Sequence, residues 1–312
     1  MVLKVGSKGE DVKKLQAGLN SLGYQCGTAD GAFGAKTEDA VEAFQEANDL
    51  YGDGVAGPNT IQAFNAKVAA EFKIGVTVEA PKVAITEPST KLGLVTVTCE
   101  KMGHGGYTSM KMRADAAEKY KALHAEVLTL GGGITTAGCV RPLSAGGGAA
   151  QSATSLHYCG IAWDLSLDSG MQKTTDCYLV ENLGDRKWRV WMKCVGVSAS
   201  IVPSITVNAT ICSTVNGKTQ MKVVQVTGQY VDFTALAAKH GWFPIRGRKS
   251  FYTGGSYSGS EWWHFQCEAL LTPGVSTFGG ELLKVYDEAT IKSTFRGDWA
   301  ASKGATWKEN WF

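Results

Sequence analysis

Apolar residues recur at helical spacing in the first part of the chain. Val12, Leu15 and Leu19 are separated by three or four residues, which places them on one face of a helix. The same periodicity returns twice before residue 70, each time after a loop that contains glycine. The pattern therefore predicts a small domain of three helices over residues 1–70.

The loops before the second and third of these helices share one pattern. Residues 30–37 and 53–60 both read D-G-x-x-G-x-x-T. Glycine adopts the positive φ values that tight turns require, and the threonines, Thr37 and Thr60, are expected to cap the helices that follow. We interpret the two loops as a short internal repeat.

The pattern then changes. Residues 71–93 contain two prolines and no clear period, which is typical of an extended linker. Residues 94–312 mix strand-like and helical stretches, so we predict an α+β domain with an antiparallel sheet. Within it, residues 188–231 are rich in Val, Ile and Thr, which favours a β-hairpin or meander that we interpret as an insertion. Its tightest turn is expected at Asn216-Gly217.

Charge and hydropathy exclude several function classes. The chain has 31 Lys and Arg against 29 Asp and Glu, and this net charge of +2 gives no case for a nucleic-acid partner. No stretch reaches the roughly 18 apolar residues of a membrane-spanning helix, so we expect no membrane insertion. The N-terminus lacks the apolar region of a secretory signal peptide. We therefore expect a protein that is made in the cytoplasm without a signal peptide. We also expect it to be a monomer.

The eight cysteines are widely spread, and none forms a C-x-x-C pair. This spacing disfavours a zinc site built from thiolates. We expect most of them to be small buried apolar side chains, and one or two disulfides remain an alternative.

Two stretches contain residues that could perform chemistry. From Gly160 onwards apolar and small residues alternate, so Asp164 shares a strand face with Gly160 and Ala162, which leave room beside it. Glu261 and His264 would point to opposite faces of a regular strand, because their separation is odd. We therefore place Glu261 at the end of the preceding Gly/Ser loop, where a turn would let its carboxylate approach His264. Each residue alone is more often structural than functional.

Taken together, these stretches resemble a known family. The motif Ser155-x-His157-x-x-Gly160-x-Ala162-x-Asp164, followed by Glu261-x-Trp263-His264, is similar to the zinc peptidases of the D-Ala-D-Ala carboxypeptidase and VanY type. The resemblance implies that His157, Asp164 and His264 bind Zn²⁺, that Glu261 is the catalytic acid and base, and that Arg141 stabilises the oxyanion.

The N-terminal pattern resembles a second family, the three-helix peptidoglycan-binding domain of bacterial and phage wall hydrolases. The matching residues are Gly6, Gly9, Val12, Leu15, Gln16, Leu19, Leu22, Gly23, Asp30, Gly31, Phe33, Gly34, Thr37, Ala40, Val41, Phe44, Gln45, Asp53, Gly54, Gly57, Pro58 and Thr60. This resemblance implies that residues 1–70 bind the bacterial cell wall.

Both resemblances imply a peptidoglycan hydrolase. The expected reaction is zinc-dependent hydrolysis of a peptide bond in the stem peptide by residues 94–312. The absence of a signal peptide favours a phage endolysin that is made in the host cytoplasm and acts on the wall, and an endolysin is expected to cut the L-Ala–D-Glu bond. A D-Ala-D-Ala carboxypeptidase, an N-acetylmuramoyl-L-alanine amidase and a non-catalytic virion protein that binds the wall remain alternatives.

Overall fold

The computed structural model describes residues 2–48, 50, 52, 54–75, 88, 90–145, 155–215, 218–272 and 276–295. The chain folds into two compact units. The first comprises residues 1–91, 143–154 and 271–312, and the second comprises residues 92–142 and 155–270. No helix among the described residues is both long and apolar enough to cross a membrane.

The first unit contains the three helices that the sequence predicts near the N-terminus. They are α1 (Glu10–Ser21), α2 (Ala35–Ala47) and α3 (Pro58–Lys67), and a short 3₁₀ helix follows at Ala70–Phe72. Their apolar faces form one core that includes Val12, Leu15, Leu19, Val41, Phe44, Ile61, Phe64 and Ile74. The unit also holds α7 (Phe278–Leu283) and α8 (Glu288–Thr294).

The two loop repeats are built alike, although the threonines do not cap the helices as predicted. Both helices begin two residues before the threonine. For each repeat, one buried glutamine bonds to the glycine N–H, the next carbonyl and the threonine hydroxyl, so it links the loop to the helix that follows. These bonds are 2.8–3.0 Å long for Gln16 with Gly31, Ala32 and Thr37, and 2.8–3.0 Å for Gln45 with Gly54, Val55 and Thr60.

The second unit has the α+β composition that the sequence predicts. Its helices are α4 (Ala114–Thr129), α5 (Phe233–Lys239) and α6 (Lys249–Tyr252), with 3₁₀ helices at Tyr257–Ser260 and Glu268–Leu270. Its strands are β1 (Leu94–Thr98), β2 (Ser109–Arg113), β3 (Ala162–Asp164), β4 (Tyr178–Asn182), β5 (Trp188–Lys193), β6 (Ser204–Val215), β7 (Lys218–Asp232), β8 (Phe243–Pro244) and β9 (His264–Gln266).

These strands form antiparallel sheets. The orders are β1-β2, β3-β9-β8 and β4-β5-β7-β6. Strands β6 and β7 make a long hairpin whose last pair is Val215 with Lys218. The hairpin that we expected in this stretch is therefore present, while its turn at residues 216–217 lies outside the described residues.

The eight cysteines are free, and all except Cys212 are buried. The interpretation that most are small apolar side chains is therefore confirmed, and the alternative of a disulfide is not. Burial raises the pKa of the Cys267 thiol to about 12, so this side chain stays protonated at neutral pH.

Candidate metal centre

Two of the predicted zinc ligands face each other across neighbouring strands. Asp164 of β3 and His264 of β9 are register partners, and Asp164 Oδ1 lies 3.0 Å from His264 Nδ1. The alternate pair, Trp163 and Phe265, points to the other side of the sheet, where the rings stack with centroids 5.4 Å apart. The alternation that the sequence predicts is therefore present, because one face of the sheet is aromatic core and the other carries the polar pair.

The third residue, His157, reaches the pair from the turn that precedes β3. Its Nε2 lies 3.2 Å from His264 Nδ1 and 3.3 Å from Asp164 Oδ2. The turn depends on Gly160, which has φ of 68° and packs so closely that a Cβ atom would lie 2.9 Å from the Arg113 nitrogen. One ligand-capable atom from each of the three side chains lies within 4.8 Å of the others.

The polar surroundings of His157 fix which ring nitrogen faces the cluster. His157 Nδ1 lies 2.6 Å from the carbonyl oxygen of Cys139. A carbonyl oxygen only accepts hydrogen bonds, so Nδ1 carries a proton and Nε2 is the ring nitrogen that faces Asp164 and His264. Such an outer partner is the usual companion of a histidine that binds a metal.

The donor set fits zinc. Two imidazole nitrogens and a carboxylate are ligands that Zn²⁺ takes in catalytic sites, where a fourth position stays open for water or substrate. Donor atoms at ~2.0–2.1 Å from one tetrahedral zinc lie about 3.3 Å apart. The observed separations of 3.0, 3.2 and 3.3 Å are close to this spacing. His157 and His264 are only 5% and 8% exposed, whereas the Asp164 side chain is 25% exposed, so the cluster is reached by water from the side of the carboxylate.

The cluster keeps the carboxylate charged. Burial favours a neutral Asp164, but the His157 and His264 imidazoles hold the pKa of Asp164 well below its ordinary value. Burial also opposes a charged His157, but the Asp164 carboxylate raises the pKa of His157 above its ordinary value. The ionised carboxylate is the form that binds a divalent cation, whereas His157 must release its Nε2 proton when it binds one.

Arg141 lies beside the cluster. Its backbone N–H donates to the His157 carbonyl oxygen at 3.1 Å, and its guanidinium carbon is 5.2 Å from the centroid of the Tyr158 ring. Among the described residues, Arg141 Nη1 is buried and has no hydrogen-bond partner. An unpaired buried donor is costly, so this atom is a candidate for binding a substrate oxygen.

Glu261 occupies the turn that the sequence analysis placed before the last strand. It ends the 3₁₀ helix at Tyr257–Ser260 with φ of 55°, and its carbonyl oxygen accepts from the His264 N–H at 3.1 Å. The strand begins at His264. The Glu261 carboxylate is outside the ligand cluster, and its Oε1 lies 2.7 Å from Arg248 Nε.

Two contributors to the site have no signal in the sequence. Cys139 acts through its backbone carbonyl, which any residue could supply. Arg248 lies 13 residues before Glu261 in an irregular segment, where no periodicity relates the two side chains.

Comparison with known proteins supports a link to the cell wall. Residues 8–64 match the family model described as "Putative peptidoglycan binding domain". The zinc D-Ala-D-Ala carboxypeptidase of Streptomyces albus G is 48% identical over 61 residues, which cover 19% of this chain and 24% of that protein. The N-acetylmuramoyl-L-alanine amidase CwlM of Mycobacterium tuberculosis is 42% identical over 55 residues, which cover 18% and 14%.

A longer match joins the chain to a protein of Bacillus licheniformis named "Probable N-acetylmuramoyl-L-alanine amidase". It is 29% identical over 142 residues, which cover 40% of each protein. The chain thus spans 14–40% of the length of these three relatives. All three are named as enzymes that hydrolyse peptidoglycan.

A solved structure with low structural similarity also aligns with this chain. It is the fused Zn-dependent amidase/peptidase/peptidoglycan-binding domain-containing protein of Clostridium acetobutylicum, which is 18% identical and aligns over 77% of this chain and 87% of that chain. The TM-score of 0.21 is too low for this comparison to support an argument about fold or function.

Proposed function

We propose that this protein is a zinc-dependent peptidoglycan hydrolase that cleaves a peptide bond in the stem peptide. The observation that carries the proposal is the buried convergence of His157 Nε2, the Asp164 carboxylate and His264 Nδ1. The family match at residues 8–64 supports peptidoglycan as the polymer that the chain binds. In this proposal residues 1–70 bind the wall, residues 71–93 are a linker and residues 94–312 perform the hydrolysis.

In the proposed site His157, Asp164 and His264 hold the zinc ion. Bound there, zinc would polarise the scissile carbonyl and lower the pKa of the attacking water. The outer contact from His157 Nδ1 to the Cys139 carbonyl keeps the imidazole oriented for binding.

Glu261 and Arg141 are assigned the proton transfer and the oxyanion. Glu261 accepts a proton from the attacking water while the water oxygen forms its bond to the carbonyl carbon. The carbon–nitrogen bond then breaks, and Glu261 returns the proton to the leaving amine. Arg141 donates from its buried Nη1 to the oxygen that becomes negative, because a donor already in place needs no reorganisation at that step.

The preferred bond is L-Ala–D-Glu, with the protein acting as an endolysin. Cutting the stem near the glycan separates cross-linked strands, which is the step that lyses a wall. The second candidate is removal of terminal D-Ala, and the name of the Streptomyces albus G relative favours it.

The test is product analysis. Purified peptidoglycan is digested with the zinc-loaded protein, and the soluble fragments are identified by mass spectrometry. The proposal expects fragments with a new amine on D-Glu and glycan that keeps L-Ala. Release of D-Ala alone would select the carboxypeptidase, and glycan without L-Ala would indicate an amidase. No cleavage at all would leave a wall-binding protein without this activity.

A further inference from the structure

Arg248 contacts the segment that carries Glu261 at two points. Its backbone N–H donates to the Gly259 carbonyl oxygen at 2.7 Å, and its side-chain Nε donates to Glu261 Oε1 at 2.7 Å. The first bond fixes the backbone two residues before Glu261, and the second fixes the carboxylate itself. Arg248 therefore ties the orientation of this side chain to the position of its own backbone.

Ser260, which lies between Gly259 and Glu261, is held by a different side chain, Trp188. Trp188 Nε1 donates to the Ser260 carbonyl oxygen at 2.6 Å, and the Trp188 ring stacks on Tyr252 with centroids 5.6 Å apart. The loop that carries Glu261 is thus attached to strand β5 as well as to Arg248.

Gly247, the residue before Arg248, is held by two hydrogen bonds to Arg186. The Gly247 N–H donates to the Arg186 carbonyl oxygen at 2.8 Å, and the Gly247 carbonyl accepts from Arg186 Nη1 at 3.2 Å. A Cβ atom on Gly247 would lie 2.9 Å from the Ser260 oxygen, so only glycine permits this approach. The backbone that presents Arg248 is consequently fixed before its side chain is considered.

Glu261 needs such a hold because its backbone is strained. Its φ of 55° is in the left-handed region, which costs a residue other than glycine ~1–3 kcal/mol. The Glu261 side chain has several staggered rotamers, and because only 12% of it is exposed, its charge needs a partner. A charge-assisted bond from a guanidinium selects one of them.

We propose that Arg248 is a positioning residue for Glu261, an inference that rests on the proposed role of Glu261 as proton acceptor. Oε1 accepts the bond from Arg248, and Oε2 takes the proton of the attacking water. Arg248 acts through Glu261, so its loss reduces the rate of the bond-breaking step and leaves substrate binding unchanged.

Steady-state kinetics with soluble wall fragments test this inference. Arg248→Ala is expected to lower kcat by about 10- to 100-fold with KM unchanged within about 2-fold. Arg248→Lys should recover part of kcat, because an ammonium still donates one bond. The matched control is Lys249→Ala, which removes the same charge from the next, exposed residue and should match the wild type.

A double-mutant cycle separates positioning from a general effect on the fold. In the Glu261→Gln background, Arg248→Ala should change the residual rate by less than about 3-fold, because the proton acceptor is already lost. A rise in KM with kcat unchanged would assign Arg248 to substrate binding instead. Wild-type kinetics in Arg248→Ala would likewise overturn the inference.

A crystal structure of each variant provides a test that needs no activity. The Glu261 carboxylate should leave its wild-type position in Arg248→Ala and keep it in Lys249→Ala. An unmoved carboxylate in Arg248→Ala would overturn the positioning role. If the wild type cleaves no peptidoglycan, the proposed function fails, whereas the crystal structures still show whether Arg248 holds Glu261.

Discussion

Asp164 and His264 lie directly opposite each other on antiparallel strands, and their side chains approach to 3.0 Å between Oδ1 and Nδ1. Strand register, rather than loop conformation, thus sets the distance between two of the three candidate ligands. Trp163 and Phe265 occupy the alternate positions and are almost fully buried, which makes a slip of one residue very costly. The aromatic core on one face therefore fixes the polar pair on the other.

The proposed proton acceptor can be separated from the metal ligands. Glu261→Gln keeps the shape of the side chain and removes its basicity, so the zinc content should stay unchanged while kcat falls by about 10²–10⁴-fold. Zinc analysis and turnover of purified wall fragments check the two halves of this prediction. Full activity in Glu261→Gln would rule out the assigned role.

Arg141 should affect the reaction without holding the metal. Arg141→Ala removes the buried Nη1 donor, and loss of an oxyanion donor lowers kcat by about 10²–10³-fold. The zinc content should be retained, because the backbone bond from residue 141 to the His157 carbonyl remains possible. Turnover and metal analysis of the same preparation check this, and an unchanged kcat would contradict it.

Gly160 is required by the turn that delivers His157. Gly160→Ala places a Cβ atom 2.9 Å from the Arg113 nitrogen at a φ of 68°. Left-handed strain alone costs ~1–3 kcal/mol, and the steric clash adds to it. Denaturant unfolding should show this loss together with weaker zinc binding. The control Gly34→Ala, whose Cβ would meet nothing within 4 Å, should unfold at the wild-type midpoint.

Buried Gln45 should stabilise the first unit more than the exposed Gln62 does. Gln45→Leu leaves the buried Gly54 N–H without the partner that it has now, and an unpaired buried group costs ~1–3 kcal/mol. Thermal unfolding of the full chain should show a lower midpoint temperature for the transition of the first unit. The same substitution at exposed Gln62 of α3 should leave this midpoint unchanged. Equal shifts in the two variants would contradict a stabilising role of the Gln45 hydrogen bonds.

The parts of this structure that were predicted from the sequence follow from periodicity and from the resemblance. Helical spacing identified the core of the first unit, and two-residue alternation placed Asp164 opposite the aromatic face. The resemblance added His157 and His264, which alternation could not connect with Asp164.

Other features depend on contacts that no local pattern records. Thr37 was expected to cap a helix, but the helix begins at Ala35 and the hydroxyl accepts from the buried Gln16 instead. The link between Arg248 and Glu261 joins two irregular segments, so only the folded chain reveals it. The carbonyl of Cys139, which orients His157, carries no information about side-chain identity.

Zinc stoichiometry shows whether Asp164 and the two histidines form a metal site. The metal-stripped protein is loaded with Zn²⁺, dialysed and measured by mass spectrometry, beside Asp164→Ala and the control Asp168→Ala, an exposed aspartate four residues further along. One zinc per chain is expected in the wild type and in Asp168→Ala, and an affinity more than about 100-fold weaker is expected in Asp164→Ala. A wild type that binds no zinc, or an Asp164→Ala variant that binds it equally well, would rule out the proposed zinc site.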